Sequence, residues 1–296
     1  MVSRFFSIVI PVYNRAQLVP KAIASVLNQS FSNFELIVVD DSSTDETIQE
    51  IKKIIDPRIK LISLPKNGGN AKARNEGWKG SKGEWIVYLD SDDWFEPEYL
   101  STLNTWIQEN PQESFFWTGV RHINEFTNTH KEGFWQPKEP LPGETFFDEL
   151  RIGTGFGLAL KKDLLLKFGG FDESFRAAVD REFFLRISRT ESGMGIPITL
   201  VNCLIGEHSS VRKNYKAQSE AYSKLVQIYT SEIEATASRK KWWYHKSMWL
   251  ALYCHDFKQA RYFLKLTGYS IKSVLLYSIF SFFPLGVAKD LHKKLA

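Results

Sequence analysis

The chain has 296 residues, of which 43% are hydrophobic, and this content excludes a disordered chain and suffices for one large core with an appendage. The formal net charge of +4 is unevenly placed: Arg239 to Ala296 holds eleven Lys or Arg against two acids, a net +9, leaving −5 on the rest. Cys203 and Cys254 lack metal-ligand spacing and are too few for a disulfide framework, so they read as reduced thiols of a cytoplasmic protein.

The N-terminal apolar run Ser7 to Val12 is short and contains Pro11, unlike the long apolar segment of a secretory leader, so export is not expected. Phe6 to Val12 (FSIVIPV), Phe34 to Val39, Ile59 to Leu64 and Trp85 to Leu89 are short β-branched or aromatic runs of strand length. Between them, Ala16 to Asn28 and Thr44 to Ile55 carry apolar residues at helical spacing, and Ser42, Ser43 and Thr44 offer an N-cap for the second helix. Strand and helix in alternation predict an α/β domain with a mostly parallel sheet covered on both faces, and ligands in such sheets bind outside the carboxyl ends of the strands. From about Gln112 to Tyr215 the pattern is less regular, with a strand over Ser114 to Val120 and helices over Lys161 to Lys167 and Asp180 to Arg189. After Tyr215 the chain turns helical, starting with Ala217 to Thr236, which divides it into residues 1–215 and a basic, apolar extension over 216–296.

Acids collect where the strands end. Trp85 to Trp94 (WIVYLDSDDW) drives an apolar strand into Asp90, Asp92 and Asp93, whose mutual repulsion calls for a cation or for donors. A D-x-D at a strand end suits Mn²⁺ or Mg²⁺ bound to a diphosphate; the alternative is an acidic turn capping a helix near Pro97. In VVDDSSTD, over Val38 to Asp45, a carboxylate could accept from a nucleobase or a ribose, or simply start a helix. Asn67 to Asn75 (NGGNAKARN) reads as a turn into a helix bearing Lys72 and Arg74, a place for an anionic ligand, and it matches neither a dinucleotide fingerprint nor a Walker loop.

The segments IVIPVYNR (8–15), LIVVDDSSTD (36–45), NGGNAKARNEG (67–77), GEWIVYLDSDDW (83–94), GGFDES (169–174) and VDREFFLRI (179–187), in this order and spacing, resemble successive blocks of family 2 glycosyltransferases with the GT-A fold. The resemblance spans about residues 3–212. It implies a Rossmann-like, mostly parallel mixed sheet flanked by helices, with a C-terminal helical extension beyond it. It further implies that Pro11, Tyr13 and Asn14 line the nucleotide pocket, that Asp41 reads a base, uracil by expectation, and that Arg74, Asp90 and Ser91 face the donor. Asp92 or Asp93 would meet the metal, His208 would contact metal or diphosphate, and Asp180 would be the general base. Relatives often carry Glu-Asp where this chain has Val179-Asp180, so the base is kept and its neighbour is not.

The function these residues imply is inverting transfer of a sugar from a nucleotide-diphosphate sugar, a UDP-sugar by expectation, to a hydroxyl of a glycan or lipid-linked acceptor in polysaccharide or glycoconjugate biosynthesis. A metal-dependent phosphotransferase or phosphatase and a non-catalytic sugar-nucleotide-binding protein stay open as alternatives. In the tail, RKKWWYHKSMW and the apolar run Val274 to Ala288, interrupted by Pro284, suit a membrane interface better than a span, or else a helical hairpin packed on the catalytic domain. The expected partners are a nucleotide-sugar donor, a glycan or lipid-linked acceptor and the inner face of the cell membrane, with no nucleic acid.

Overall fold

The structure is a computed structural model that describes residues 6–127, 129–136, 155, 157–187, 189–206 and 214–295. The chain divides into two compact units, Met1–Ser174 with Val179–Glu207 and Phe175–Ala178 with His208–Ala296.

The first unit is built on β1 (Phe6–Val12), β2 (Phe34–Asp40), β3 (Ile59–Ser63) and β4 (Trp85–Tyr88), which pair in parallel in the spatial order β3-β2-β1-β4. Strands β1 and β4 are buried along their whole length and β2 along most of it, which is why each reads as a continuous apolar run rather than an alternating one. The crossovers are α1 (Val19–Leu27), α2 (Thr47–Lys52) and α3 (Asn70–Lys79). Helix α3 lies so close to β1 that a Cβ on Gly77 would sit 2.3 Å from Val9 Cγ1.

Helix α2 starts at Thr47, later than the Ser-Ser-Thr run suggests, because those side chains are used elsewhere. Ser43 Oγ accepts from the Asn14 N–H and Thr44 bonds the Asn14 side chain, so neither caps the helix.

Beyond β4 the sheet turns mixed. Described strands β5 (Trp94–Phe95), β6 (Phe115–Asn124), β7 (His130–Gly133), β8 (Ala159–Lys161) and β9 (Gly193–Ile205) extend it in the order β4-β8-β6-β9-β5, with β7 on the edge of β6. Only the β6–β9 pair is parallel in this half, and its register shifts on either side of Gly119. Helices α4 (Tyr99–Glu109), α5 (Lys162–Phe168) and α6 (Val179–Ile187) complete the unit. Its core joins the inward residues of β1, β2 and β4 to α1, α4, β6 and β9 through Ile8, Val26, Val87, Leu103, Phe116 and Val201. A mixed sheet with a parallel half, flanked by helices, is the α/β architecture the sequence predicts.

The second unit is helical: α7 (Tyr215–Ile228), α8 (Thr230–Glu234), α9 (Ala237–Tyr253), α10 (Phe257–Leu266), α11 (Ile271–Phe282) and α12 (Leu285–Leu295). Asn214, Thr236, Asp256 and Ser270 each accept from the backbone N–H three residues on, so most of these helices start at a polar cap that the sequence shows. The single helix expected over Ala217 to Thr236 is instead α7 and α8, broken at Tyr229, whose ψ of 28° leaves the helical range. Among the described residues no helix is long and apolar enough to cross a membrane.

Candidate active site

The site forms where β1, β2 and β4 end. Register places Val12 beside Asp40, and the Leu89 N–H bonds Val9 O, so the residues that follow these strands leave the sheet side by side. The ladder on the β4 side stops there because Pro11, buried in β1, has no N–H to continue it. Asn14 and Ser42 then turn the chain with φ of 51° and 65°, in the left-handed region that non-glycine residues rarely adopt. Asn14 Oδ1 accepts from the Thr44 N–H at 2.8 Å, and the Arg15 N–H donates to Thr47 Oγ1 at 2.8 Å, locking the two loops together. Tyr13, 42% exposed, stands out from this lock.

Asp41 is buried, and its two oxygens accept from the Gly68 and Gly69 N–H groups at 2.6 and 2.7 Å. Gly69 has φ of 85°, a conformation that costs glycine little and presents both amides at the start of α3. The anion expected at that helix start is thus, for these two donors, the protein's own Asp41.

Arg74 is the hub of the site. Its guanidinium is fully buried, with Nη2 2.8 Å from Asp90 Oδ1 and Nη1 3.3 Å from Asp180 Oδ1. Burial opposes the charge, but Asp180 and Asp90 outweigh it and hold the guanidinium above its ordinary pKa. Tyr88, the last residue of β4, buries a hydroxyl with no hydrogen-bond partner among the described residues. Burial raises its pKa most, with Arg74 lowering it and Asp180 raising it, so the phenol lies within the field of both.

Asp180 is set on the first turn of α6, after Ala178 at φ of 53°. The segment leading to it is fixed by Asn75, which follows Arg74 on α3. Asn75 Nδ2 donates to Phe171 O at 2.8 Å and to Glu173 at 3.0 Å, and its Oδ1 accepts from the Phe171 N–H and Trp78 Nε1. Asn75 is not singled out by the sequence, because an Asn among the polar and charged residues of NAKARNEG reads as one more solvated position. Neighbouring residues of one helix thus hold the carboxylates and the loop that carries one of them.

The acids after β4 differ in surroundings. Asp90 and Asp92 keep partly open side chains, 33% and 21% exposed, and Asp92 lies 3.8 Å from Arg15 Nε. Asp93 is buried, with Oδ1 accepting from the Leu204 N–H at 3.1 Å and Oδ2 3.2 Å from Cys203 Sγ. Burial first, then Asp90 and Asp92, push the Asp93 carboxyl well above the usual carboxylate range. Ser91 is buried between them. Hard oxygens on Asp90 and Asp92 fit a divalent cation that takes one or two carboxylates and completes its shell from phosphate and water. Among the described residues no three His, Cys, Asp or Glu side chains converge into a full protein cage. His208 lies outside the described residues.

Strand ends, a carboxylate set and a buried arginine in this arrangement invite comparison with known proteins. The profile of glycosyl transferase family 2 matches residues 7–169. A Haemophilus influenzae protein that carries the name "Uncharacterized glycosyltransferase" is 32% identical over 191 residues, 63% of each chain. The putative colanic acid biosynthesis glycosyl transferase WcaA of Escherichia coli K12 is 33% identical over 192 residues, 61% of this chain and 65% of that one. The chain thus spans less than two thirds of the length of these curated relatives. Among solved structures, Staphylococcus aureus TarS 1-349 in complex with UDP-GlcNAc superposes with a TM-score of 0.63 at 17% identity, over 92% of this chain and 90% of that one, and shows the same GT-A fold. With more than half of its residues inside the family profile, the chain belongs to glycosyl transferase family 2.

Proposed function

We propose that the chain is an inverting glycosyltransferase that moves a sugar from a UDP-sugar to a hydroxyl of a glycan or lipid-linked acceptor, in polysaccharide or glycoconjugate biosynthesis. The observation that carries this reading is the Arg74 bridge, which sets Asp180 and the D-x-D acid Asp90 on opposite sides of one guanidinium at the carboxyl rim of the sheet. Support comes also from the names of similar proteins, among them a hyaluronan synthase and a chondroitin synthase of Pasteurella multocida, and from the UDP-GlcNAc bound to TarS.

In this reading Pro11, Tyr13, Asn14 and Asp41 border the nucleotide, and Arg74, Asp90 and Ser91 border the sugar diphosphate. Asp180 accepts the proton of the acceptor hydroxyl as that oxygen bonds the anomeric carbon and the bond to the UDP oxygen breaks. One base and one displacement invert the carbon. Asp90 and Asp92 would hold Mn²⁺ or Mg²⁺, and Asp92, whose side chain stays partly exposed, is the better candidate over the buried Asp93. When bound, the cation supplies charge neutralisation for the departing diphosphate. The basic extension, with its net +9 over Arg239 to Ala296, would place the enzyme at the inner face of the cell membrane.

Incubating the protein with UDP-sugars, Mn²⁺ and candidate acceptors tests the reading. Release of UDP with formation of a glycoside is expected, whereas release of inorganic phosphate would put a phosphotransferase in its place.

A further inference from the structure

Helix α11 is apolar on two sides. Leu276, Ile279 and Phe280 are buried and seat the helix in the second unit. Ile271, Leu275 and Phe282, spaced by four and seven residues and therefore on one stripe, are 89%, 52% and 84% exposed. Phe283 and Val287 prolong the exposed apolar surface past Pro284. A folded chain seldom leaves such a row of large apolar side chains open unless something covers it.

Beside it, α10 packs on α11 and shows solvent a different chemistry: Lys258, Arg261 and Lys265 with Tyr262, again at helical spacing. His245, which pairs with Ser273 of α11 at 3.1 Å, is held down at about 4, by burial first and then by Lys272, His292 and Lys241.

We infer that the exposed stripe of α11, with the basic face of α10, is a docking surface for an anionic lipid bilayer. The inference rests on the proposed membrane contact and names the face that makes it. Rows of aliphatic and aromatic side chains meet the acyl boundary, and Lys, Arg and Tyr meet the headgroups. The 12 residues of α11 extend about 18 Å, against a hydrocarbon core of about 30 Å, so the helix lies in the interface rather than crossing it. Charge selects lipid over the same face of a second copy of the chain, because two segments of net +9 repel each other and an anionic surface attracts both.

The test is sedimentation of the full chain with vesicles of phosphatidylcholine alone and of equal parts phosphatidylcholine and phosphatidylglycerol. The full chain should pellet with the anionic vesicles only. Leu275→Ser with Phe282→Ser, at positions whose exposure leaves the core intact, should lower partitioning at least tenfold, and Arg261→Glu with Lys265→Glu should weaken it at low salt and flatten its salt dependence. Equal behaviour of wild type and the Ser variant, or no binding to either vesicle, overturns the inference. A dimer that the Ser variant dissociates, without vesicle binding, overturns it in favour of self-association. UDP release, measured in the same samples with a soluble acceptor, should be unchanged by the variants. Its absence in the wild type counts against the transferase reading alone, absence of pelleting against the membrane contact and the docking surface together, and pelleting that the Ser variant leaves unchanged against the docking surface alone.

Discussion

Arg74 and Asp180 lie 106 positions apart in the chain, yet the arginine Nη1 is 3.3 Å from the carboxylate Oδ1, and the same guanidinium reaches Asp90 through Nη2. A single forked cation therefore fixes the spacing between Asp180, the proposed base, and the first acid of the D-x-D. The fork is planar and its charge is permanent, which suits it to hold two carboxylates at a set angle.

Arg74→Lys should lower kcat/KM at least tenfold, since one ammonium cannot serve both carboxylates in the same geometry. Arg74→Met should lower it more, and should cost about 1–3 kcal/mol of stability, less than for a fully buried pair because Asp90 and Asp180 keep solvent access. Steady-state kinetics and urea unfolding of both variants check this; wild-type kinetics in Arg74→Lys would contradict the bridge.

Asn75→Ala should destabilise the first unit by about 2–4 kcal/mol, because the Phe171 N–H and carbonyl and the Trp78 Nε1–H would lose their buried partner together. Asn75→Asp should be no better, since a carboxylate cannot donate to Phe171 O and would face Glu173. Thermal unfolding decides, and a Tm within a degree of wild type for either variant would remove Asn75 from this role.

Acid should loosen the second unit through His245. Its folded pKa of about 4 lies below its ordinary 6.5, so the neutral ring is the form the fold accepts. The stability this confers is complete above about 6.5 and is lost as pH falls through 6.5 towards 4. His245→Gln keeps a polar group near Ser273 and should flatten the fall in Tm over that window. An equally steep fall in the variant would assign the acid sensitivity to other groups.

The parallel half of the sheet was legible because β1, β2 and β4 are buried apolar runs that stop at turn or acidic residues, as FELIVVD does at Asp40 and Asp41. The mixed half was legible only in part, in the run Ser114 to Val120 that becomes β6 and in the two helices α5 and α6. Strand β9, GMGIPITLVNCLI, opens with two glycines and carries Pro197, features that argue against a strand until β6 is seen pairing beside it with a shifted register. The acids at the rim were visible as a cluster, but their division of labour was not. Asp93 is set apart from Asp92 by its burial and by Leu204 and Cys203, 111 and 110 residues away. The partners of Arg74 and Asn75 are distant in the same way, and no local spacing encodes them.

The most direct measurement is turnover and donor affinity of Asp180→Asn side by side with wild type. The substitution keeps the shape of the side chain and removes the proton acceptor, so kcat should fall by about 10²–10⁴ while the Kd for the UDP-sugar stays within a few-fold. Turnover close to wild type, with donor binding intact, would show that Asp180 is not the base and would contradict the account built on the Arg74 bridge.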